Sequence, residues 1–151
     1  MITTIEFKRG YKYQLHRTYT HIIPIEVNEI INNSEFLKVS PLKEMPGKAM
    51  LIMKKGYAWD GPSGPTWDTS NFMRGSLVHD ALYQLMREGH IPGSYRELAD
   101  KELHRICRED GMSRIRAWYV YRAVRRGAGF AADPSRRRPL LFAPDPKERR
   151  T

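Results

Sequence analysis

Residues 72–110, FMRGSLVHDALYQLMREGHIPGSYRELADKELHRICRED, decide the architecture of this chain. Apolar residues recur there at helical spacing in two blocks, and the break between the blocks holds Gly89 and the run Pro92-Gly93-Ser94. Recurrence at i, i+3 and i+4 marks an amphipathic helix, and glycine and proline mark its ends. The first helix is predicted over about residues 72–88, with Asp68, Thr69, Ser70 or Asn71 as N-cap and Gly89 as its stop. Ser94 with Glu97 forms a capping-box pattern for a second helix to about Asp110, closed by Gly111. Ser113 caps a third helix that runs to about Arg126. The short turn makes the first two helices antiparallel neighbours.

Upstream the period changes from helical to alternating. Ile5 and Phe7 alternate with polar neighbours, as do Tyr11, Tyr13 and Leu15, and short β-rich runs follow at residues 21–27, 36–39 and 49–53. Asn32-Asn33-Ser34 and Pro46-Gly47 supply turns between them. Residues 56–71, GYAWDGPSGPTWDTSN, are too rich in glycine and proline for regular structure, yet they hold two tryptophans and two aspartates, which marks a built loop. Downstream, residues 133–151 carry four prolines and six basic residues and read as extended chain, with Leu140-Leu141-Phe142 as an apolar knot that needs something to dock on. The expected fold is α+β: a small antiparallel β-sheet in the N-terminal third, then three α-helices. These form a single domain over residues 1–130, followed by a Pro/Arg-rich tail over 131–151.

Composition bounds the function. A chain of 151 residues is one ordinary domain able to bury a core. One cysteine, Cys107, excludes an internal disulfide framework and a multi-thiolate zinc site, and its apolar helix face makes it a core residue. No apolar run reaches the ~18–20 residues of a bilayer span, and the first fifteen residues hold no signal-peptide core, so a soluble chain made in the cytoplasm is expected. The net charge of +9 is uneven: residues 1–112 carry 15 basic and 14 acidic residues, residues 113–151 carry 11 and 3. The basic end is either a solvated helix and tail or a surface for an acidic partner such as nucleic acid, anionic lipid or an acidic protein face. Its candidate contacts are Arg114, Arg116, Arg125 and Arg126 on the third helix, beside Ile115, Trp118, Tyr119 and Arg122, and Arg136, Arg137 and Arg138 in the tail.

The chemistry-bearing residues lie on the first two helices. With Val78 at zero and 100° per residue, Val78, Ala81, Leu82, Leu85 and Met86 make the buried stripe. His79 and Tyr83 flank it at about 100° and 140°, and Asp80 points away at about 200°. On the second helix Ala99, Leu103, Ile106 and Cys107 form the stripe that Asp100 borders. His79 and Asp100 are staggered by about four residues, roughly 6 Å of rise, which the turn can absorb. The two are therefore expected to face each other with Tyr83 close by. A carboxylate on one imidazole nitrogen fixes the tautomer and leaves the other nitrogen to take a proton from water. Asp80 is expected to hold a cation against the Gly/Pro loop, and such hard oxygen donors suit Ca2+.

His79-Asp80-Ala81-Leu82-Tyr83, with Ala99-Asp100-Lys101 on the next helix and Gly61-Pro62-Ser63-Gly64 before it, resembles the His-Asp-x-x-Tyr region of the secreted and viral phospholipase A2 group. That resemblance covers residues 56–104. It implies His79 as general base, Asp100 as its orienting partner, Tyr83 as support for the pair, and Asp80 with the Gly61–Gly64 backbone as calcium ligands. The loop departs from the group's pattern in its prolines and in an extra acid, Asp60, which joins the candidate metal ligands. The strand-rich N-terminal third has no counterpart in the compact helical enzymes.

In layout the chain also resembles a family of uncharacterised phage and prophage proteins. Gly56-Tyr57, Asp60-Gly61-Pro62-Ser63-Gly64-Pro65, His79–Tyr83 and Ala99-Asp100 carry that likeness over residues 5–127. It implies synthesis in the host cytoplasm and a place in a virion, with other phage structural proteins or the anionic host envelope as partners and nucleic acid left open. Two functions follow. One is a phage-associated, calcium-dependent hydrolase of envelope lipid esters. The other is a virion or tail component whose His-Asp cluster is a polar bracket between helices and whose basic tail docks on neighbouring subunits.

Three further readings compete. A His-Asp metal phosphohydrolase needs more histidines, for which His16, His21 and His104 are the candidates; Ser63 as a nucleophile lacks a strand-elbow-helix setting. Trp59 and Trp67 either clamp the loop to the core or line an entry for an apolar ligand.

Overall fold

The structure, a computed structural model, describes residues 5, 7–8, 13–59 and 69–127. The architecture is α+β, with antiparallel sheets in the N-terminal part followed by three helices. Seven strands are described: β1 (Phe7–Lys8), β2 (Tyr13–Leu15), β3 (Tyr19–Ile23), β4 (Ile31–Asn32), β5 (Leu37–Pro41), β6 (Ala49–Met53) and β7 (Ala58–Trp59). They form two sheets where the sequence suggested one: a three-stranded sheet of order β1-β2-β7 and a four-stranded sheet of order β3-β6-β5-β4.

The alternation in the sequence becomes one buried face. Tyr19, His21 and Ile23 of β3 pair with Met53, Leu51 and Ala49 of β6, and Leu37 and Val39 of β5 pair with Met53 and Leu51. All of these point inward and are buried. Strand β3 starts at Tyr19, before the β-rich run 21–27 suggested, and it ends at Ile23 because Pro24 has no N–H to give to the ladder. Strand β7 lies inside the stretch expected to be irregular. There Trp59 pairs with Tyr13 of β2, ring centroids 5.5 Å apart, and its indole N–H donates to Ser76 Oγ at 3.1 Å. Trp59 thus packs into the core.

The helices are α1 (Ser70–Arg87), α2 (Arg96–Glu109) and α3 (Arg114–Gly127). Gly89 at φ 77° and Gly111 at φ 96° follow α1 and α2 in the left-handed region that a glycine enters without strain, as their stops require. Ser113 Oγ accepts from the Arg116 N–H at 3.3 Å, so the third cap forms. The Ser94–Glu97 capping box does not. Residues Gly93–Tyr95 wind into a 3-10 turn instead, leaving Tyr95 at the N-cap of α2 with no side-chain cap bond. Thr69 takes the N-cap position of α1 without capping it, because its hydroxyl is turned to Asn71.

Helix α1 is buried on nearly every side, including the polar Arg74, Ser76 and His79. One side packs with the buried faces of the sheets, through Met73, Leu77, Leu82 and Leu85 among others. Another side joins α2 and α3 in a smaller cluster of Phe72, Leu103, Cys107, Met112, Ala117 and Val120. A flank of the apolar stripe is therefore not a solvent face here; it is a second interior, between helices. The tail over 131–151, the end of the proposed domain at 130, and Arg136, Arg137 and Arg138 lie outside the described residues.

Candidate active site

Gly75 sits one turn before His79 on α1, and Leu103 one turn after Asp100 on α2. A Cβ on Gly75 would come within 2.9 Å of both Leu103 Cδ1 and Cys107 Sγ, so the missing side chain is what lets the two helices close at this point. One turn along, the same close approach sets His79 Nε2 2.7 Å from Asp100 Oδ1. Tyr83, stacked on the His79 ring with centroids 4.1 Å apart, donates its hydroxyl to the same oxygen at 2.5 Å. From α3, Arg125 Nη1 donates to Asp100 Oδ2 at 3.0 Å. Arg96 at the start of α2 donates to the Arg125 carbonyl, which pins the last turn of α3 over the cluster.

Asp100 is wholly buried. Burial alone raises a carboxyl pKa, but the bonds from His79, Tyr83 and Arg125 outweigh it and leave Asp100 below the usual range, hence ionised. Burial pushes the Tyr83 hydroxyl pKa up and the Asp100 charge pushes it further, so Tyr83 remains a donor. For His79, burial opposes the charged form, yet Asp100 and then Asp80 more than compensate, and its pKa is raised. An ionised carboxylate on Nε2 assigns the neutral tautomer: Nε2 carries the proton and Nδ1 carries the lone pair. Asp80 Oδ1 lies 3.9 Å from that Nδ1, too far for a hydrogen bond but close for a charge, and its side chain is 34% exposed. The arrangement can take a proton at Nδ1 while Asp100 holds the ring and steadies the imidazolium.

The structure thus brings together His79, Asp100 and Tyr83 as expected, while Asp80, expected to point away from the core, is partly exposed and also lies 3.9 Å from His79 Nδ1. Asp60, Gly61 and Gly64, together with Ser63 and Trp67, lie outside the described residues. Among the described residues no group of three or more His, Cys, Asp and Glu side chains could hold a metal. His21 does not approach His79, because it belongs to a separate cluster. His104 sits edge-on to Tyr121, ring centroids 6.0 Å apart. Cys107 is buried and its thiol is pushed up to about 12, chiefly by burial, so it stays protonated and inert.

The basic residues of α3 divide into two sets. Arg125 is committed to Asp100, and Arg116 donates to Thr69 Oγ1 at 2.6 Å and Asn71 Oδ1 at 3.1 Å. Both were candidates for an outside partner, and both instead tie α3 to the other helices, since each leaves the helix on a flank that meets polar acceptors. Arg114 and Arg126 are exposed.

A second cluster escaped the sequence reading. His21 Nε2 lies 2.8 Å from Glu102 Oε1, and His21 Nδ1 lies 3.0 Å from the Tyr19 hydroxyl. Arg74 Nη1 donates to the Tyr19 oxygen at 3.0 Å while its Nη2 and Nε hold Asp110. Arg105 donates to Glu102 at 2.6 Å and to Glu109 at 2.8 Å. Burial raises the Glu102 pKa, but His21 and Arg105 bring it down to about 2, so it is ionised. The alternation of β3 could have flagged His21 as inward-facing; nothing in the sequence paired it with Glu102, 81 residues away.

Among the described residues no helix is long and apolar enough to cross a membrane. No protein-family model matches the chain, and neither a curated protein nor a solved structure matches it.

Proposed function

We propose that this protein is a hydrolase of carboxylic esters, phage-associated and acting on phospholipids of the host envelope, with His79 as general base. The observation that carries the reading is the ring geometry: Nε2 bound to a buried, ionised Asp100 at 2.7 Å, Tyr83 on the same oxygen, and Nδ1 turned to a partly exposed acid. In this reading water attacks the ester carbonyl carbon as its proton passes to His79 Nδ1, giving a tetrahedral oxyanion. The imidazolium then returns the proton to the leaving oxygen as the ester C–O bond breaks, releasing acid and alcohol. A Ca2+ ion on Asp80, completed by oxygen donors from Asp60, Gly61 and Gly64, would polarise the carbonyl and belongs to the proposal. No step above depends on it.

The test is release of fatty acid from phospholipid and short-chain ester substrates, with and without calcium. The wild type turns over, and His79→Ala, shown folded by circular dichroism, loses roughly 100- to 10,000-fold. A wild type inactive on every substrate, or a folded His79→Ala as active as wild type, overturns the reading.

One observation favours a second reading. Both Asp100 oxygens are taken, by donors from α1 and α3, so the cluster is also a satisfied bracket joining three helices. A virion or tail component that docks through residues 131–151 needs no more from it. That reading gains if His79→Ala melts well below an inactive wild type and if deleting 131–151 prevents incorporation into particles.

A further inference from the structure

Helix α3 presents to solvent what a core helix hides. Ile115 is 73% exposed, Trp118 53% and Tyr119 63%. At 100° per residue these three share an arc of about 100° with Arg122 and Arg126, while Ala117, Val120 and Val124 occupy the opposite side and pack inward. The outward stripe runs for about 16 Å along the axis. The helix carries five arginines and no acid, and the two that serve the interior, Arg116 and Arg125, leave Arg114, Arg122 and Arg126 for the outside.

We propose that this face of α3 docks the protein on an anionic lipid surface, lying in the headgroup plane with Trp118, Tyr119 and Ile115 sunk toward the acyl chains. Charge complementarity selects the partner: a wholly basic helix meets a negative surface without repulsion anywhere along its length. The side-chain chemistry agrees, since tryptophan and tyrosine place an apolar ring and a polar tip at the depth where hydrocarbon meets water. A nucleic acid would want a flat ring to stack on. Here the Arg122 guanidinium lies 5.8 Å from the Trp118 ring centre, and Trp118 and Tyr119 meet edge-on at 71°, so neither ring is offered as an open platform. Ile115 adds aliphatic surface that a base does not need. The proposal does not depend on His79 being catalytic.

The experiment is co-sedimentation of the full chain with vesicles of phosphatidylglycerol and, separately, of phosphatidylcholine. Ether-linked forms of both lipids are used with the wild-type chain, so that no ester is consumed. Binding to phosphatidylglycerol should exceed binding to phosphatidylcholine by at least about tenfold and weaken as salt is raised. Trp118→Ser with Tyr119→Ser, and separately Arg122→Glu with Arg126→Glu, should each lower it about tenfold or more while circular dichroism stays unchanged, because all four side chains leave the core untouched. Absence of vesicle binding overturns the proposal, and so does binding that both double variants retain. It also fails if the same variants abolish a tighter association with single-stranded RNA or duplex DNA, or dissolve a dimer of this chain that does not bind vesicles.

Discussion

Two histidines of this protein meet helix α2 through the same kind of bond. His79 gives Nε2 to Asp100 at 2.7 Å, His21 gives Nε2 to Glu102 at 2.8 Å, and both rings are buried. Asp100 and Glu102 stand two residues apart, about 200° around the helix, so one carboxylate faces α1 and the other faces the four-stranded sheet. The difference lies at the second nitrogen. Glu102 is ionised and lies 2.8 Å from His21 Nε2, and His21 Nδ1 lies 3.0 Å from the Tyr19 hydroxyl, whose oxygen is itself held by Arg74. That ring is bonded on both sides. The Nδ1 of His79 makes no hydrogen bond among the described residues and faces Asp80 across 3.9 Å. A histidine–carboxylate pair is therefore no mark of chemistry by itself; what stands at the second nitrogen is where the two rings differ.

The same isosteric change in each cluster separates the two roles most sharply. Asp100→Asn keeps the shape but lets the amide favour the wrong tautomer and removes the charge that steadies the imidazolium. Ester hydrolysis should fall roughly 100- to 10,000-fold with the fold retained. Glu102→Gln should leave hydrolysis within a few-fold. Equal losses of activity from the two variants would erase the distinction between the clusters.

In stability the order reverses in kind. Glu102→Gln replaces charge-assisted bonds to His21 and Arg105 with neutral ones and should cost about 1.5–3 kcal/mol by urea unfolding near neutral pH. Because the folded Glu102 titrates at about 2 instead of its ordinary 4.5, this contribution is present above pH 4.5 and is lost as the pH falls toward 2. The wild type and the variant should converge in acid. A gap that persists unchanged at low pH would show that lost packing, not charge, separates them.

What the sequence made legible was whatever repeats locally. Helical spacing, the stops at Gly89 and Gly111, the inward alternation of the strands and the pairing of His79 with Asp100 all follow from periods and a short turn. Two kinds of feature did not. The split into two sheets depends on β7 pairing back to β2 over more than 40 residues, and the His21–Glu102 bond spans 81. Neither has a local signature. The second kind is tertiary override: the Ser94 capping box yielded to a 3-10 turn, and Arg116 and Arg125 turned inward to meet acceptors on other elements. The closeness of α1 and α2 was also hidden, since Gly75 reads in sequence as a weak point of a helix. In the fold it is the contact that sets the His79–Asp100 distance.

That contact can be tested directly. Gly75→Ala favours the isolated helix by about 1 kcal/mol, but its methyl group would press on Leu103 and Cys107 at 2.9 Å in a packed interior. A net loss of about 1–2 kcal/mol is expected, with a larger fractional loss of hydrolysis than of His21-side packing, because the wedge sits one turn from His79. A variant as stable and as active as wild type would mean that the helices can part without disturbing the pair.

The smallest effect bears on the open side of His79. Asp80 raises the His79 pKa alongside Asp100, so Asp80→Asn should lower it, moving the ring's NMR titration to more acid pH. Since a raised histidine pKa stabilises the fold below the unfolded value near 6.5 and ceases to do so as the pH climbs past the folded one, the stability gap between wild type and variant should be wider in mild acid than in alkali. Solvent reaches a third of the Asp80 side chain, which screens the pair and keeps the shift modest. The titration needs no turnover, so it reports on the charge at Nδ1 whether or not Asp80 also binds calcium. A His79 titration that stays put, or moves toward alkali, would mean that Asp80 does not act on this ring, and the contrast with the doubly bonded His21 would lose its electrostatic half.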